Sequence, residues 1–277
     1  MMATQLLRLN EVERLSPCCI RVLGGNPGKF TLQGTNTYLV GTGHGRLLID
    51  TGEGRPGWKA AMQKVLQDEN ATVEKVLITH WHLDHTQGIP DIASLCPGAT
   101  VFKRDPTHNQ NGISDGQEFA VEGATLTAVY TPGHTTDHTV FLLREEDAMF
   151  TGDNVLGQGT GVFENLEVYL ASLEKMKTLF TGRAYPGHGP VIEDGPERLS
   201  GYISHRKQRE EQLLQTLRSP KPGTSEMRSW TPMELVEVIY QDVPKELHIP
   251  ASGGVIQILE KLEKEQRVRR DSNRWKL

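Results

Sequence analysis

The sequence predicts an α+β fold: two stacked β-sheets covered by helices on both outer faces, an αββα sandwich, followed by a small C-terminal module of two helices and a hairpin. Three observations lead there. Strand-like segments fall into two groups, and each group gives way to helical periodicity. The run Ser219-Pro220-Lys221-Pro222-Gly223-Thr224-Ser225 breaks all periodicity and reads as a linker. Beyond it, helical spacing resumes before a short basic hairpin. The expected division is therefore 1–218 for the sandwich, 219–229 for the linker and 230–277 for the module.

In chain order, residues 31–40 and 47–50 read as neighbouring strands joined by the glycine-flanked turn 41–45. Residues 56–68 carry Trp58, Met62, Val65 and Leu66 on one helical stripe. A buried strand is expected at 75–79, and a helix from about Asp84 toward Cys96. Strands follow at 100–102, 117–121, 125–130, 139–143 and 148–151, then a helix at 166–180 and a short strand at 183–185. The long helix 196–217 turns Leu199, Ile203 and Leu213 inward and leaves Arg198, His205, Arg206, Lys207, Arg209, Glu210 and Glu211 as a solvated face. Thr231-Pro232-Met233-Glu234 is a capping box with proline at the first helical position, launching Leu235, Val238 and Ile239. A second helix over 252–264 and a hairpin over 267–276 complete an order similar to a winged-helix module. Its lysines are offset by Glu260, Glu263 and Glu265, so no basic recognition helix is visible.

A chain of 277 residues suits one large domain, or one domain with an appendage. The formal net charge of -5 argues against a protein built mainly to coat nucleic acid. No apolar run approaches the ~20 residues needed to span a bilayer, so no membrane association is expected. Residues 1–17 lack a signal-peptide core, and Glu11 and Glu13 disfavour a mitochondrial leader. Cys18, Cys19 and Cys96 make a poor disulfide framework and read as reduced structural thiols, in the cytoplasm or an organelle matrix.

Five short signatures carry the chemistry. The densest, Thr79-His80-Trp81-His82-Leu83-Asp84-His85, places four potential metal ligands within six residues. A lone histidine more often fills a core or surface role, but this density is not a packing pattern. On extended chain His80 and His82 point the same way and can share one ion, whereas Asp84 and His85, beyond a turn, can serve a second. Asp50 closes the run Leu47-Leu48-Ile49; His134 lies in Thr131-Pro132-Gly133-His134-Thr135; Asp153 follows Phe150-Thr151-Gly152; His188 lies in Tyr185-Pro186-Gly187-His188-Gly189. Each follows a strand-like stretch with glycine or proline nearby, where a chain leaves a sheet and presents side chains to a cleft.

Over roughly 34–192 this ordered set resembles the metallo-β-lactamase superfamily of hydrolases. The resemblance implies that His80, His82 and His134 hold a first metal, that Asp84, His85 and His188 hold a second, and that Asp153 bridges both. It implies that Asp50 orients ligands without touching metal. Asp84 and Asp153 are thereby the candidate catalytic carboxylates. The cofactors would be two divalent ions, Zn²⁺ first and Mn²⁺ as the alternative that the same donors accept. Such ions, ~3.5–4 Å apart, would lower the pKa of a bridging water toward ~7 and supply hydroxide as nucleophile. No Gly-x-Ser-x-Gly elbow is present, so hydrolysis by water is the expected reaction. His138, four residues after His134, would orient a ligand or line the cleft, unless it is an ordinary polar loop residue. His205 is not included among the ligands.

Within the superfamily, Gly34-Thr35-Asn36-Thr37-Tyr38-Leu39-Val40, Trp81, Phe163-Glu164-Asn165-Leu166 and the tail are similar to a subgroup with two kinds of member. One is the discrete thioesterases that accompany fungal non-reducing polyketide synthases; the other is the mitochondrial β-lactamase-like endoribonuclease of single-stranded RNA. Residues 148–160, Gly182-Arg183-Ala184-Tyr185 and Ile249-Pro250-Ala251-Ser252-Gly253-Gly254-Val255 look more like the thioesterases. The partners implied are an acyl carrier protein and its small-molecule acyl group, with nucleic acid only under the endoribonuclease reading. Hydrolysis of a glutathione thioester would instead need basic residues gathered at the cleft, for which Lys103, Arg104, Arg206 and Arg209 are the candidates. A β-lactamase would have no use for the tail. A non-catalytic member with a vestigial site fits poorly with all seven expected ligands in place.

Overall fold

The computed structural model describes residues 6–107, 109–221, 229–241 and 243–277. β1 (Val12–Ser16), β2 (Cys19–Leu23), β3 (Asn36–Val40) and β4 (Gly45–Ile49) form an antiparallel meander. After α1 (Pro56–Asp68), β5 (Thr72–Leu77) joins β4 in parallel; α2 (Leu83–Thr86) and α3 (Ile89–Leu95) then lead to β6 (Thr100–Lys103) and β7 (Asn111–Gly112), which extend the parallel half. These seven strands form one sheet in chain order.

The second sheet takes β8 (Glu118–Val121), β9 (Ala124–Tyr130), β10 (Thr139–Leu143) and β11 (Ala148–Gly152) as an antiparallel run. α4 (Leu166–Lys177) crosses over to β12 (Ala184–Pro186), which pairs in parallel with β11. α5 (Gly195–Arg218), α6 (Pro232–Ile239) and α7 (His248–Lys264) follow, and β13 (Arg269–Asp271) with β14 (Arg274–Lys276) closes the chain as a hairpin. Among the described residues no helix is long and apolar enough to cross a membrane.

Side-chain alternation along the strands sorts residues into layers. Tyr38, Leu47, Ile49, Leu126, Phe141 and Phe150 fill the space between the sheets. Their neighbours Leu39, Leu48 and Val76 face outward onto Trp58, Met62 and Val65 of α1, the stripe expected from the sequence. On the far side, Val140 and Met149 meet Leu173 and Met176 of α4 and Leu199 and Tyr202 of α5. A fourth cluster joins Leu166 of α4 and Leu213, Leu214 and Leu217 of α5 to Leu235, Val236, Leu259, Leu262 and Trp275. The sandwich and the C-terminal module therefore share α5 as a common wall.

The capping box is present at the start of α6: Thr231 Oγ1 accepts from the Glu234 N–H (3.3 Å), and the Glu234 carboxylate accepts from the Thr231 N–H (2.7 Å). Other boundaries differ from the sequence reading. The first expected strand begins only at Asn36, because residues 28–32 close a turn with Leu32 at φ 54°. The helix expected from Asp84 is two helices, since Pro90 has no N–H to continue the ladder and its ring would clash with the carbonyl one turn back. β1 and β2 lie where no strand was expected; buried Arg21 in β2 is paired with Glu13 in β1. α7 starts at His248, ahead of the expected 252. Most of the linker expected at 219–229 lies outside the described residues.

Parallel pairing of β4 with β5 and of β11 with β12 brings their C-terminal ends to one edge of the sandwich, together with the end of β9. All five signatures follow one of these ends. Phe150 holds the two sheets together there, stacked on Tyr185 at 4.9 Å and edge-on to Tyr38 at 5.0 Å. Replacing it, Phe150→Ala, should destabilise the protein by about 3–5 kcal/mol through lost burial and a residual cavity. Urea unfolding would register this as a lower midpoint; an unchanged midpoint would mean that the sheets are held elsewhere.

Candidate metal centre

Asp50 lies just past β4 with φ 56° and is almost completely buried. Its Oδ1 accepts the Thr79 N–H (2.8 Å), and its Oδ2 accepts both the Thr79 hydroxyl (2.9 Å) and the His85 Nδ1–H (2.7 Å). Thr79 Oγ1 in turn accepts from His80 Nδ1 (2.9 Å). With those ring nitrogens protonated, His80 and His85 turn their Nε2 atoms to the cleft.

Two sets of donors converge. In the first, His82 Nδ1 lies 2.9 Å from His80 Nε2 and 3.2 Å from His134 Nε2, while Asp153 Oδ2 is 3.7 Å from His134. His134 donates its Nδ1–H to the Val162 carbonyl (2.8 Å), which leaves its Nε2 facing inward. In the second set, Asp84 Oδ2 is 3.3 Å from both His85 Nε2 and His188 Nε2. Asp153 stands between the sets, with Oδ1 3.5 Å from His85 and Oδ2 3.3 Å from His188. Within each of the groups His80, His82, His134, Asp153 and Asp84, His85, His188, the ligating atoms all lie within 4.8 Å of one another.

These residues fit metal ions. Three imidazole nitrogens face each other, and a single proton on His82 Nδ1 would leave part of the set unsatisfied. Asp153 Oδ1 and His85 Nε2 are buried without a hydrogen-bond partner. Orphaned polar atoms of this kind are costly unless something satisfies them, and a divalent cation in each set would do so.

The charge balance agrees. Burial alone would raise Asp84 and Asp153, but the facing His85 and His188 rings outweigh it and hold both well below the usual carboxylate range. Burial alone would lower His85 and His188, yet Asp50, Asp153 and Asp84 lift His85 well above its ordinary value, and Asp153 and Asp84 bring His188 to about 9. On the other side burial, reinforced by His134, takes His82 down to about 4, and burial with His85 beside it keeps His80 neutral. The carboxylate side thus draws positive charge to the place where a cation would sit.

All seven expected ligands and Asp50 meet at this one edge. His138 does not line the cleft: it is fully buried beneath it, and its Nε2 accepts the Asp153 N–H (3.2 Å). His205 lies on α5, outside both donor sets. The sequence reading missed Thr35, whose hydroxyl donates to Asp84 Oδ2 (3.0 Å), and the carbonyl of Val162. It also passed over what Gly187 does: a Cβ there would lie 2.3 Å from Asp153 Oδ1, so only glycine lets the carboxylate into the site. Cys18, Cys19 and Cys96 are free and buried.

Comparison with known proteins identifies the family. Residues 30–101 and 99–188 match the metallo-beta-lactamase superfamily model. The chain belongs to that superfamily. Residues 231–275 match the beta-lactamase associated winged helix domain. A lactamase-like protein, adaB, of Aspergillus niger is 45% identical over 271 residues, covering 95% of this chain and 86% of that one. The atrochrysone carboxyl ACP thioesterase dmxR1 of Cryptosporiopsis sp. is 51% identical over 215 residues, covering 77% and 67%. Another atrochrysone carboxyl ACP thioesterase, from Aspergillus terreus, is 48% identical over 237 residues, covering 84% and 74%. A metallo-beta-lactamase family protein of Thermus thermophilus shares the fold at TM-score 0.75 and 24% identity, over 95% of this chain and 99% of that one. The chain is thus a hydrolase of the metallo-beta-lactamase type, and its histidine and aspartate cluster supports divalent metal binding.

Asp50→Asn would put an amide among three donors and turn the His80 and His85 rings out of alignment. Metal affinity, read by competition with a chromophoric chelator, should fall about 10–100-fold while circular dichroism stays unchanged. Unaltered affinity would remove Asp50 from its orienting role.

Proposed function

We propose that this chain hydrolyses the thioester linking a polyketide acyl group to an acyl carrier protein. The observation that carries this reading is the 51% identity to a protein named atrochrysone carboxyl ACP thioesterase, in a chain whose seven donors meet at one cleft. We assign His80, His82 and His134 to a first ion, Asp84, His85 and His188 to a second, Zn²⁺ before Mn²⁺, with Asp153 shared. When bound, such cations supply Lewis acidity and bring the ionisation of water toward neutral pH. Asp50 aims His85 directly and His80 through Thr79, and His138 fixes the Asp153 backbone from below. The facing His85 and His188 rings outweigh burial at Asp84 and Asp153 and favour both as anions, the form that would hold a cation. A thiolate leaving group needs no proton, which suits a site without a separate general acid.

The rim supports an apolar acyl group. Trp81 and Leu83 alternate with the ligands and are 45% and 60% exposed, and Val162, whose carbonyl holds His134, is 52% exposed. Exposed apolar side chains clustered at a polar centre mark a binding surface. Three of the four basic residues named for a glutathione substrate make contacts within the protein. Arg104 lies over Tyr130 and donates to Ile113 O, Arg206 donates to Gly161 O, and Arg209 lies over Tyr240. We further propose a catalytic domain over 1–218, a linker over 219–229, a winged-helix domain over 230–277, and a cytoplasmic site of action.

The test is a side-by-side assay of an aromatic acyl-carrier thioester and a single-stranded RNA, each with and without chelator. Chelator-sensitive thioester hydrolysis with intact RNA is expected; the opposite pattern would overturn the proposal in favour of an endoribonuclease. Asp153→Ala should abolish turnover in a folded protein. Trp81→Ala should raise KM for the aromatic thioester severalfold with a smaller change in kcat, and an unchanged KM would place the acyl group elsewhere.

A further inference from the structure

The segment 161–166 holds His134 at two points. The Val162 carbonyl takes its ring Nδ1–H (2.8 Å), and the Glu164 N–H donates to the carbonyls of Gly133 (2.8 Å) and His134 (3.2 Å). The Asn165 N–H adds a further bond to Gly133 O (3.2 Å). Gly133 has φ 131°, and a Cβ there would lie 2.3 Å from Tyr169 Cα, so the His134 loop is pressed directly against α4. The position of this ligand therefore depends on where segment 161–166 sits.

Outside groups fix that segment, and one of them belongs to the C-terminal module. Arg206 of α5 donates to Gly161 O (2.6 Å) and lies 4.7 Å over the Phe163 ring. Gln257 of α7 clamps the next residues with both ends of its amide: Nε2 donates to Glu164 O (2.7 Å) and Oε1 accepts the Leu166 N–H (3.3 Å). Glu164 is thus bonded on one side of its backbone to α7 and on the other to His134. One residue separates the winged-helix module from a proposed metal ligand.

We infer that Gln257 is a positioning residue through which the C-terminal module sets the His134 side of the metal centre. This rests on the assignment of His134 as a ligand. A hydrogen-bonded partner one step behind a ligand commonly changes affinity by about 10–100-fold, and the two-bond amide clamp gives the module that kind of hold. The module then shapes the catalytic centre as well as any surface it offers to a partner, and its hold falls first on His134, with Asp153 joining that side to Asp84, His85 and His188.

The test uses the full chain carrying Gln257→Leu, which removes both bonds, and Gln257→Glu, which keeps the acceptor for Leu166 and loses the donor to Glu164. Zn²⁺ titration against a chromophoric chelator should show one of two equivalents weakened about tenfold in both variants. Amide exchange of the metal-free variants should accelerate at residues 133–136. Wild-type exchange at 133–136 in Gln257→Leu overturns the inference, as does wild-type affinity in Gln257→Glu. If the wild-type protein takes up no metal, the ligand assignment falls by itself, and the exchange measurement still decides whether the module reaches His134.

Discussion

A buried carboxylate at the end of β4 organises the cleft. Asp50 is removed from water, and an isolated charge in that position would be heavily penalised. Three donors offset the penalty: the Thr79 N–H, the Thr79 hydroxyl and the His85 Nδ1–H. Because the hydroxyl also takes the His80 proton, one anion fixes the tautomer of one imidazole in each donor set. The left-handed backbone at Asp50 is the local cost of aiming the side chain across to the end of β5. Parallel pairing of β4 and β5 makes that reach short.

The second sheet completes the centre by the same device. β11 and β12 run in parallel, so Asp153 and His188 leave adjacent strand ends, and the bare Gly187 lets the Asp153 carboxylate fit between them. His138, from the start of β10, fixes the Asp153 peptide from beneath. Proposed ligands from four strand ends, with Asp50 from a fifth, therefore converge without any one loop having to be long. The rigid part is the aromatic packing of Tyr38, Phe150 and Tyr185 between the sheets, close to the ends that carry Asp50, Asp153 and His188.

Much of this was legible in the chain because ligand chemistry is concentrated in few residue types. The His80 to His85 cluster, the Thr231 capping box and the Trp58, Met62, Val65 stripe are local patterns, and local patterns survive folding. What escaped notice depended on distant partners. β1 and β2 gave no alternating signal, because a buried Arg21 matched to Glu13 interrupts the apolar run. The break at Pro90 is the local exception: a proline has no N–H with which to continue the ladder from α2 into α3. Val162 and Glu164 act through backbone atoms, which every residue possesses, so no sequence pattern marks them. His138 stood out by its spacing, yet only the fold shows that it faces the Asp153 peptide and not the cleft.

The C-terminal module is bound into the same logic. Its apolar cluster is completed by Leu213, Leu214 and Leu217 of α5 and by Leu166 of α4, so its core is not closed without the sandwich. α5 serves both parts: Leu199 and Tyr202 pack on the second sheet, Arg206 holds Gly161, and the last turns receive α6 and α7. A module so joined cannot shift without moving the start of α4, where Asn165 caps the helix and Glu164 meets His134. The shared wall and the Glu164 bonds thus place metal geometry and the C-terminal fold under one constraint. If His134 holds metal as proposed, that constraint gives a physical reason for a catalytic sandwich to keep its winged helix.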